Sequence, residues 1–78
     1  MHDIQIYSTR QCPYCVRAKA LLQSKELAYS ETDITDDIER AQEMIARSGN
    51  RTVPQIFING EPIGGFDELT ALNKDYKL

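Results

Sequence analysis

Several residue types that mark common protein classes are scarce in this chain. Its 78 residues include no tryptophan, one histidine and two cysteines. Two cysteines are too few for the disulfide framework of a small secreted domain. They also supply only half of the ligands of a structural zinc site, and the single histidine, His2, lies at a chain end. We therefore expect neither a disulfide-stapled domain nor a zinc site within one chain.

Positive charge and long apolar segments are lacking as well. Nine lysines and arginines stand against twelve aspartates and glutamates, which gives a net charge of -3. This sign is wrong for a domain that binds phosphate backbones, so we expect no nucleic-acid partner. No apolar run approaches the roughly 18 to 20 residues of a membrane span, and residues 1–15 lack the apolar stretch of a signal peptide. We expect a cytoplasmic protein without a membrane partner.

The remaining composition is that of a small folded domain. Hydrophobic residues make up 41% and charged residues 27% of the chain, as in ordinary globular proteins. A chain this short hides only roughly 60 to 65% of its unfolded surface, so its core is thin. We predict one domain over residues 1–78, with any ligand in a surface groove.

Hydrophobic periodicity and turn residues predict the element order β-α-β-α-β-β-α. The predicted strands are 3–7, 27–34, 55–58 and one ending at 63, and the predicted helices are 13–25, 36–48 and 66–75. Strands separated by helices imply parallel pairing through right-handed crossovers, whereas Asn59-Gly60 predicts an antiparallel hairpin. The expected fold class is α/β, with a mixed four-stranded sheet flanked by three helices.

The sequence predicts both the N-cap and the apolar face of the second helix. Thr35 or Asp36 is predicted as its N-cap, and Asp36 and Glu39 have capping-box spacing. Its apolar face is predicted to consist of Ile38, Ala41, Met44 and Ile45.

The pattern Cys12-Pro13-Tyr14-Cys15 indicates thiol chemistry. Pro13 suits the first position of a helix, where its missing N–H has no partner to lose, so Cys12 is predicted at the helix N-terminus. Free N–H groups and the helix dipole favour the thiolate there, which is the reactive form of cysteine. We expect Arg10 and Arg17 to add to this positive field.

The spacing of the two cysteines suggests a division of roles. Cys15 lies on an apolar helix stripe with Ala18 and Leu22, so we expect it to be more buried and less acidic than Cys12. Residues three apart on a helix have Cβ atoms about 5 to 6 Å apart, and a small adjustment closes a disulfide. Cys12 is predicted as the attacking thiolate and Cys15 as the resolving thiol. Two buried cysteines without a chemical role, or a metal site shared between two chains, are the alternatives.

Three separated motifs together resemble the glutaredoxin family, specifically its short bacterial dithiol class. The motifs are Cys12-Pro13-Tyr14-Cys15, Thr52-Val53-Pro54-Gln55-Ile56-Phe57-Ile58 and Gly64-Gly65-Phe66-Asp67-Glu68-Leu69. The resemblance implies a thioredoxin fold that reduces protein disulfides and glutathione mixed disulfides with electrons from glutathione. It likewise assigns Cys12 as the nucleophile and Cys15 as the resolving cysteine.

The resemblance also implies a glutathione site with a cis Val53-Pro54 bond facing Cys12. Gly64-Gly65 and the helix start after it suit the γ-glutamyl carboxylate, because glycines allow close approach and the helix offers N–H groups. Asp67 is expected to face the γ-glutamyl amino group, although helix capping explains it equally well on local sequence. The expected glutathione contacts are Arg10, Tyr14, Arg51, Thr52, Val53, Pro54, Gly65, Phe66 and Asp67.

One position departs from the family pattern. Many dithiol glutaredoxins have a lysine three residues before the first cysteine, where it aids thiolate formation and binds the glycine carboxylate of glutathione. This chain has Thr9 there. Arg10 and Arg51 are the residues we expect to supply the cation instead.

The expected partners are glutathione, as co-substrate, and disulfide-containing or glutathionylated proteins. We expect a monomer with no tightly bound cofactor, and the same chemistry would suit an electron donor to cytosolic reductases. Two other functions fit parts of the sequence. One is a redoxin reduced by a flavoenzyme, and the other is a non-enzymatic iron-sulfur carrier, a dimer bridged by Cys12 and glutathione.

Overall fold

The computed structural model describes residues 3–75 and shows a four-stranded sheet with three helices. The elements in chain order are β1 (Ile4–Ser8), α1 (Pro13–Ser24), β2 (Ser30–Asp33), α2 (Ile38–Ser48), β3 (Gln55–Ile58), β4 (Glu61–Gly64) and α3 (Phe66–Lys74). The predicted order and fold class are therefore confirmed. His2 lies outside the described residues. Across 3–75, no helix has the length and apolar character needed to cross a membrane.

The strand β2 is shorter than the predicted span 27–34. The chain between α1 and β2 is still turning, since the Leu27 N–H donates to the Leu22 carbonyl at 3.0 Å. Pairing with β1 begins only at Ser30. The side chains of Leu27 and Tyr29 pack against the core without belonging to the ladder, which is why their hydrophobicity suggested a longer strand.

The sheet has the strand order β2-β1-β3-β4. Only β1 and β2 are parallel, while β3 is antiparallel to both β1 and β4. The prediction of parallel pairing was wrong for β3, because α2 and its loops return the chain to the edge at which β2 ends. Asn59 and Gly60 have φ of 54° and 84°, the positive values that a tight hairpin turn needs. The same edge of the sheet therefore carries the end of β1 and the start of β3.

The core occupies both faces of the sheet. Side chains of a strand alternate between its faces, and this divides the buried residues into two clusters. The first contains Ile4, Ile6 and Ile56 with Ala18 and Leu22 of α1 and Leu69 of α3. The second contains Tyr7 and Phe57 with Met44 of α2. Helices α1 and α3 thus cover one face, and α2 covers the other.

Helix α2 begins one residue later than the predicted caps. Its N-cap is Asp37, whose side chain accepts a hydrogen bond from the Arg40 N–H at 3.1 Å. Thr35 and Asp36 are engaged elsewhere, because Thr35 Oγ1 accepts from the Arg10 N–H at 2.9 Å and Asp36 forms an ion pair with Arg10. The prediction that Thr35 or Asp36 caps α2 was wrong, because both side chains contact Arg10 instead.

The apolar face of α2 is also shorter than predicted. Met44 is buried and Ile45 packs against the second cluster, but Ile38 is 73% exposed. Ile38 is the first residue of α2 and lies on the same side of the helix as Ile45, but about 10 Å away along the axis. The prediction that Ile38 belongs to the buried face was wrong because the buried part of this side does not reach the first residue of the helix.

The cap assignment can be tested by stability. We expect Asp37→Ala to lower the free energy of unfolding by about 1 kcal/mol, because the first turn of α2 loses a hydrogen-bond acceptor. Asp36→Ala is the matched control, since it removes the neighbouring carboxylate and an exposed ion pair, and we expect a smaller loss. Urea denaturation of both variants measures the difference. Equal losses would show that Asp37 is not the cap.

Candidate active site

Cys12 is the residue from which helix α1 starts, at the edge of the sheet where β1 ends. It is the N-cap, and its sulfur accepts a hydrogen bond from the Cys15 N–H at 3.1 Å. Pro13 occupies the first turn as predicted. First-turn N–H groups lack intrahelical partners and carry partial positive charge, so they stabilise a thiolate at this sulfur. The local geometry therefore suits Cys12 to nucleophilic attack.

The two cysteines differ in accessibility. Both are free thiols, with Cys12 9% exposed and Cys15 completely buried. Burial, followed by the hydrogen bond with Cys12, raises the pKa of Cys15 to about 12. The greater burial expected for Cys15 is confirmed. Of the two cysteines, only Cys12 keeps some exposure to solvent.

The loop before β3 lies against Cys12. The Val53-Pro54 bond is cis, and the Cys12 thiol donates to the Val53 carbonyl across 3.6 Å. Gln55, which is 3% exposed, secures this loop through its side-chain amide, which donates to the Thr52 carbonyl at 2.9 Å and to Thr52 Oγ1 at 3.1 Å. The backbone of Val53 is thus presented next to the reactive sulfur.

A groove of about 320 Å³ runs beside these residues. Residues from all three sequence motifs line the groove. The motifs are separated along the chain but meet at one edge of the sheet. The lining residues are Tyr14, Asn50, Thr52, Val53, Pro54, Gln55, Gly64, Gly65, Phe66, Asp67 and Glu68. The rings of Tyr14 and Phe66 lie 6.2 Å apart, so an aromatic pair flanks the groove. The groove is open to solvent, as expected for so small a core.

The far wall of the groove is formed where β4 passes into α3. A Cβ atom on Gly64 would lie 2.5 Å from Glu68 Oε1, and one on Gly65 would lie 3.4 Å from the Pro54 carbonyl. Gly64 also has a φ of +121°, which disfavours any other residue. Glycine at these two positions keeps the wall close to the loop that holds Pro54.

The N-terminus of α3 is capped by Glu68 rather than Asp67. The Gly65 N–H donates to Glu68 Oε1 at 2.8 Å, as in a capping box. Asp67 is exposed and lies in the first turn of α3, where it lines the groove. The capping explanation for Asp67 therefore has no support in this geometry.

The arginines expected near the site are placed differently from one another. Arg10 forms ion pairs with Asp33, at 3.5 Å, and with Asp36, and it does not line the groove. Arg51 is exposed and also outside the lining, but its neighbour Thr52 belongs to it. The guanidinium of Arg17 lies 5.3 Å from the centre of the Tyr14 ring. Of the two predicted glycine-carboxylate cations, only Arg51 is adjacent in sequence to the groove.

Several lining residues were not singled out from the sequence. Gln55 and Glu68 stand within the quoted motifs, but their contacts depend on the loop before β3 and on the glycine wall. The capping-box spacing of Gly65 and Glu68 was the available signal for the second. Asn50 carried no signal, because a residue after a helix C-terminus is usually read as a turn.

The fold and the site together define a class of protein. A Cys-Pro-Tyr-Cys helix start facing a cis proline on a mixed four-stranded sheet is the arrangement of a thiol-disulfide oxidoreductase with the thioredoxin fold. The chain belongs to the glutaredoxin family, whose model matches residues 4–63. Glutaredoxins are glutathione-dependent disulfide oxidoreductases, and this enzyme class is that of the chain.

Individual relatives support the same assignment. Glutaredoxin 3 of Escherichia coli K12 is 51% identical over 73 residues, which cover 94% of this chain and 88% of that protein. The solution structure of a glutaredoxin from Brucella melitensis is 47% identical in sequence, with a TM-score of 0.82. The match covers 96% of this chain and 82% of the Brucella chain. The glutaredoxin in a buckwheat glutaredoxin-glutathione complex is 31% identical, with a TM-score of 0.87. The match covers 99% of this chain and 73% of the buckwheat chain.

Proposed function

We propose that the chain is a dithiol glutaredoxin that reduces protein disulfides and glutathione mixed disulfides with electrons from glutathione. The observation that supports this most directly is the position of the Cys12 sulfur. It lies at the start of α1, hydrogen-bonded to the Val53 carbonyl that borders the groove. A partly exposed cysteine beside a groove of this size suits a tripeptide thiol bound through its own cysteine.

The proposed reaction has two exchange steps. The Cys12 thiolate attacks one sulfur of the substrate disulfide, forms a mixed disulfide and releases the other sulfur as a thiolate. In the second step, either Cys15 or a second glutathione attacks the mixed disulfide. Attack by Cys15 leaves a Cys12–Cys15 disulfide, which two glutathione molecules then reduce. We also propose that the protein donates electrons to cytosolic reductases.

Glutathione is proposed to lie along the groove with its three parts in separate places. The backbone of Val53, between Thr52 and Pro54, pairs with the cysteinyl residue. The N–H groups at the start of α3, after Gly65, receive the γ-glutamyl carboxylate, as helix N-termini do for anions generally. A buckwheat glutaredoxin with the same fold was solved in complex with glutathione, which supports a shared binding mode.

Side chains are proposed to complete this contact set. Asp67 binds the γ-glutamyl amino group by a charge-assisted hydrogen bond, and the rings of Tyr14 and Phe66 cover the mixed disulfide. Arg51 is assigned to the glycine carboxylate, because the Arg10 guanidinium is held by Asp33 and Asp36.

The setting of the protein is also proposed. Residues 1–78 act as one glutaredoxin domain, a monomer with glutathione as co-substrate, and its protein partners carry disulfides or glutathione adducts. A chain with two cysteines and no disulfide framework suits a reducing compartment such as the cytoplasm.

The glutathione site can be tested with Asp67→Asn. We expect the KM for a glutathionylated peptide to rise about tenfold, the effect of weakening one charge-assisted hydrogen bond by about 1.4 kcal/mol. The value of kcat should change little, because Cys12 is untouched. Steady-state assays with glutathione and glutathione reductase measure both constants. Asp75→Asn, at the opposite end of α3, is the matched control and should leave KM unchanged.

The same assay separates the electron donors. Wild-type protein is expected to turn over with glutathione and glutathione reductase and to remain slow with thioredoxin reductase alone. Faster turnover with thioredoxin reductase would contradict the proposal and favour a flavoenzyme-reduced redoxin. An unchanged KM in Asp67→Asn would remove only the assignment of Asp67.

A further inference from the structure

A cluster of polar side chains lies between α1 and the sheet, on the side of the sheet where Cys15 is buried. Glu31 Oε2 accepts a hydrogen bond from Ser8 Oγ at 2.6 Å and forms an ion pair with Lys19 Nζ at 2.7 Å. Ser8 is 1% exposed and alternates with Ile4 and Ile6, so it faces α1. The cluster therefore lies at the border of the layer that carries the two cysteines, with Ser8 buried and the side chains of Lys19 and Glu31 26% and 36% exposed.

Lys19 and Cys15 lie on the same side of α1. Residues four apart on a helix are neighbours on its surface, separated by a rise of about 6 Å along the axis. The Cys15 sulfur also shares a hydrogen bond with the backbone of Thr9, the residue that follows Ser8. The buried thiol is thus in contact with the chain that leads from the cluster to Cys12.

The surroundings of Cys15 act on its pKa in opposite directions. Burial and the neighbouring Cys12 raise the pKa of Cys15, whereas the backbone hydrogen bond of Thr9 and, as the smallest influence, the positive charge of Lys19 lower it. The hydrogen bond to Glu31 raises the pKa of Lys19, and the contacts with Lys19 and Ser8 lower that of Glu31, so both partners stay charged near neutral pH. Asp33 is the other charged side chain acting on Glu31.

We infer that Lys19 is a positioning residue for the resolving step, whose ammonium, held in place by Glu31, favours negative charge on the Cys15 sulfur. This inference depends on the proposed function, in which Cys15 resolves a mixed disulfide. The carboxylate of Glu31 has two opposite effects. It holds the ammonium in position, and its own charge partly cancels the field that reaches Cys15.

The step affected is an intramolecular thiol-disulfide exchange. The Cys15 thiol loses a proton, which balances the proton that the leaving glutathione takes up, and the resulting thiolate supplies the electron pair of a new bond to the Cys12 sulfur. The bond between Cys12 and the glutathione sulfur breaks, and the leaving glutathione thiolate keeps its electron pair and takes up a proton. One disulfide is formed and one is broken, with no external oxidant or reductant.

Rapid mixing of reduced protein with a glutathionylated peptide resolves the two exchange steps. Attack by Cys12 releases the peptide thiol, and attack by Cys15 then releases free glutathione, so acid quenching and chromatography follow each product. We expect Lys19→Met to slow glutathione release about three- to tenfold, because Cys15 loses a nearby positive charge. Peptide release should stay within about twofold of wild type, since helix α1 still supplies the N–H groups at Cys12.

Two further variants distinguish an electrostatic role from a structural one. Glu31→Gln keeps an acceptor for Ser8 and Lys19 but removes the negative charge, and we expect faster glutathione release. Lys19→Arg should restore the wild-type rate. Lys25→Met removes the lysine at the C-cap of α1, ten residues after Cys15 and about 15 Å from it along the helix axis, and should have no effect.

The outcomes separate the inference from the function on which it depends. Slower release in both Lys19→Met and Glu31→Gln would indicate a merely structural ion pair and overturn the inference. A wild-type rate in Lys19→Met would do the same. If wild-type protein releases peptide thiol but no glutathione, Cys15 is not a resolving thiol, and the proposed dithiol mechanism itself fails.

Discussion

Cys12→Ser is expected to abolish reduction of both glutathione mixed disulfides and protein disulfides, by at least about a thousandfold. The reason is chemical, because a serine hydroxyl is essentially never ionised near neutral pH and an alkoxide does not exchange with disulfides. Two assays check this prediction, one with a glutathionylated peptide as substrate and one with a disulfide-bonded protein. Both measure turnover with glutathione and glutathione reductase.

The fold of this variant should be preserved. The Cys12 sulfur accepts the Cys15 N–H as the N-cap of α1, and serine is among the best residues for that position. Thermal unfolding of Cys12→Ser should therefore resemble that of wild type, which separates a chemical loss from unfolding. Full activity of Cys12→Ser in either assay would falsify the assignment of Cys12 as the nucleophile.

Cys15→Ser is expected to lose protein-disulfide reduction, by about a hundredfold or more, while mixed-disulfide reduction stays within a few fold of wild type. A glutathione mixed disulfide on Cys12 is accessible to a second glutathione, so Cys15 is dispensable for that reaction. A mixed disulfide with a bulky protein depends on the neighbouring thiol for its release. The two assays should therefore respond differently to one substitution.

The buried position of Cys15 calls for a second variant. Its side chain is completely buried, and a serine hydroxyl there costs stability unless it is hydrogen-bonded. Cys15→Ala removes the thiol without adding a polar group and should show the same split between the two assays. Equal loss of both activities in the two variants, with normal unfolding midpoints, would mean that Cys15 contributes to the first exchange as well.

The two cysteines of this motif differ in burial although they are close in sequence. Cys12 and Cys15 are only three residues apart, yet one caps the helix with its sulfur and the other lies within the apolar layer. The N–H groups at a helix start favour negative charge beside them, and burial raises the pKa of Cys15 to about 12. One turn of helix therefore separates a cysteine that caps the helix from a cysteine that is buried.

Local patterns were sufficient to predict the order of the elements and the position of Cys12 at the start of α1. Pro13 marked the start of α1, and Asn59-Gly60 marked the β3–β4 hairpin, because both act through the conformations allowed to their own backbone. The burial of Cys15 followed from helical spacing alone. Each of these features depends on residues that are close in sequence.

Contacts between distant segments were decided only by the tertiary structure. One example is the antiparallel pairing of β3 with β1. The others are the ion pairs of Arg10 with Asp33 and Asp36, and that of Lys19 with Glu31. Each contact joins residues that are far apart in sequence. Periodicity shows which side of a helix or strand is apolar, but it does not show which polar groups meet across the fold. That choice belongs to the packing of α1 and α2 on the two faces of the sheet, since packing sets which charges come within reach of one another.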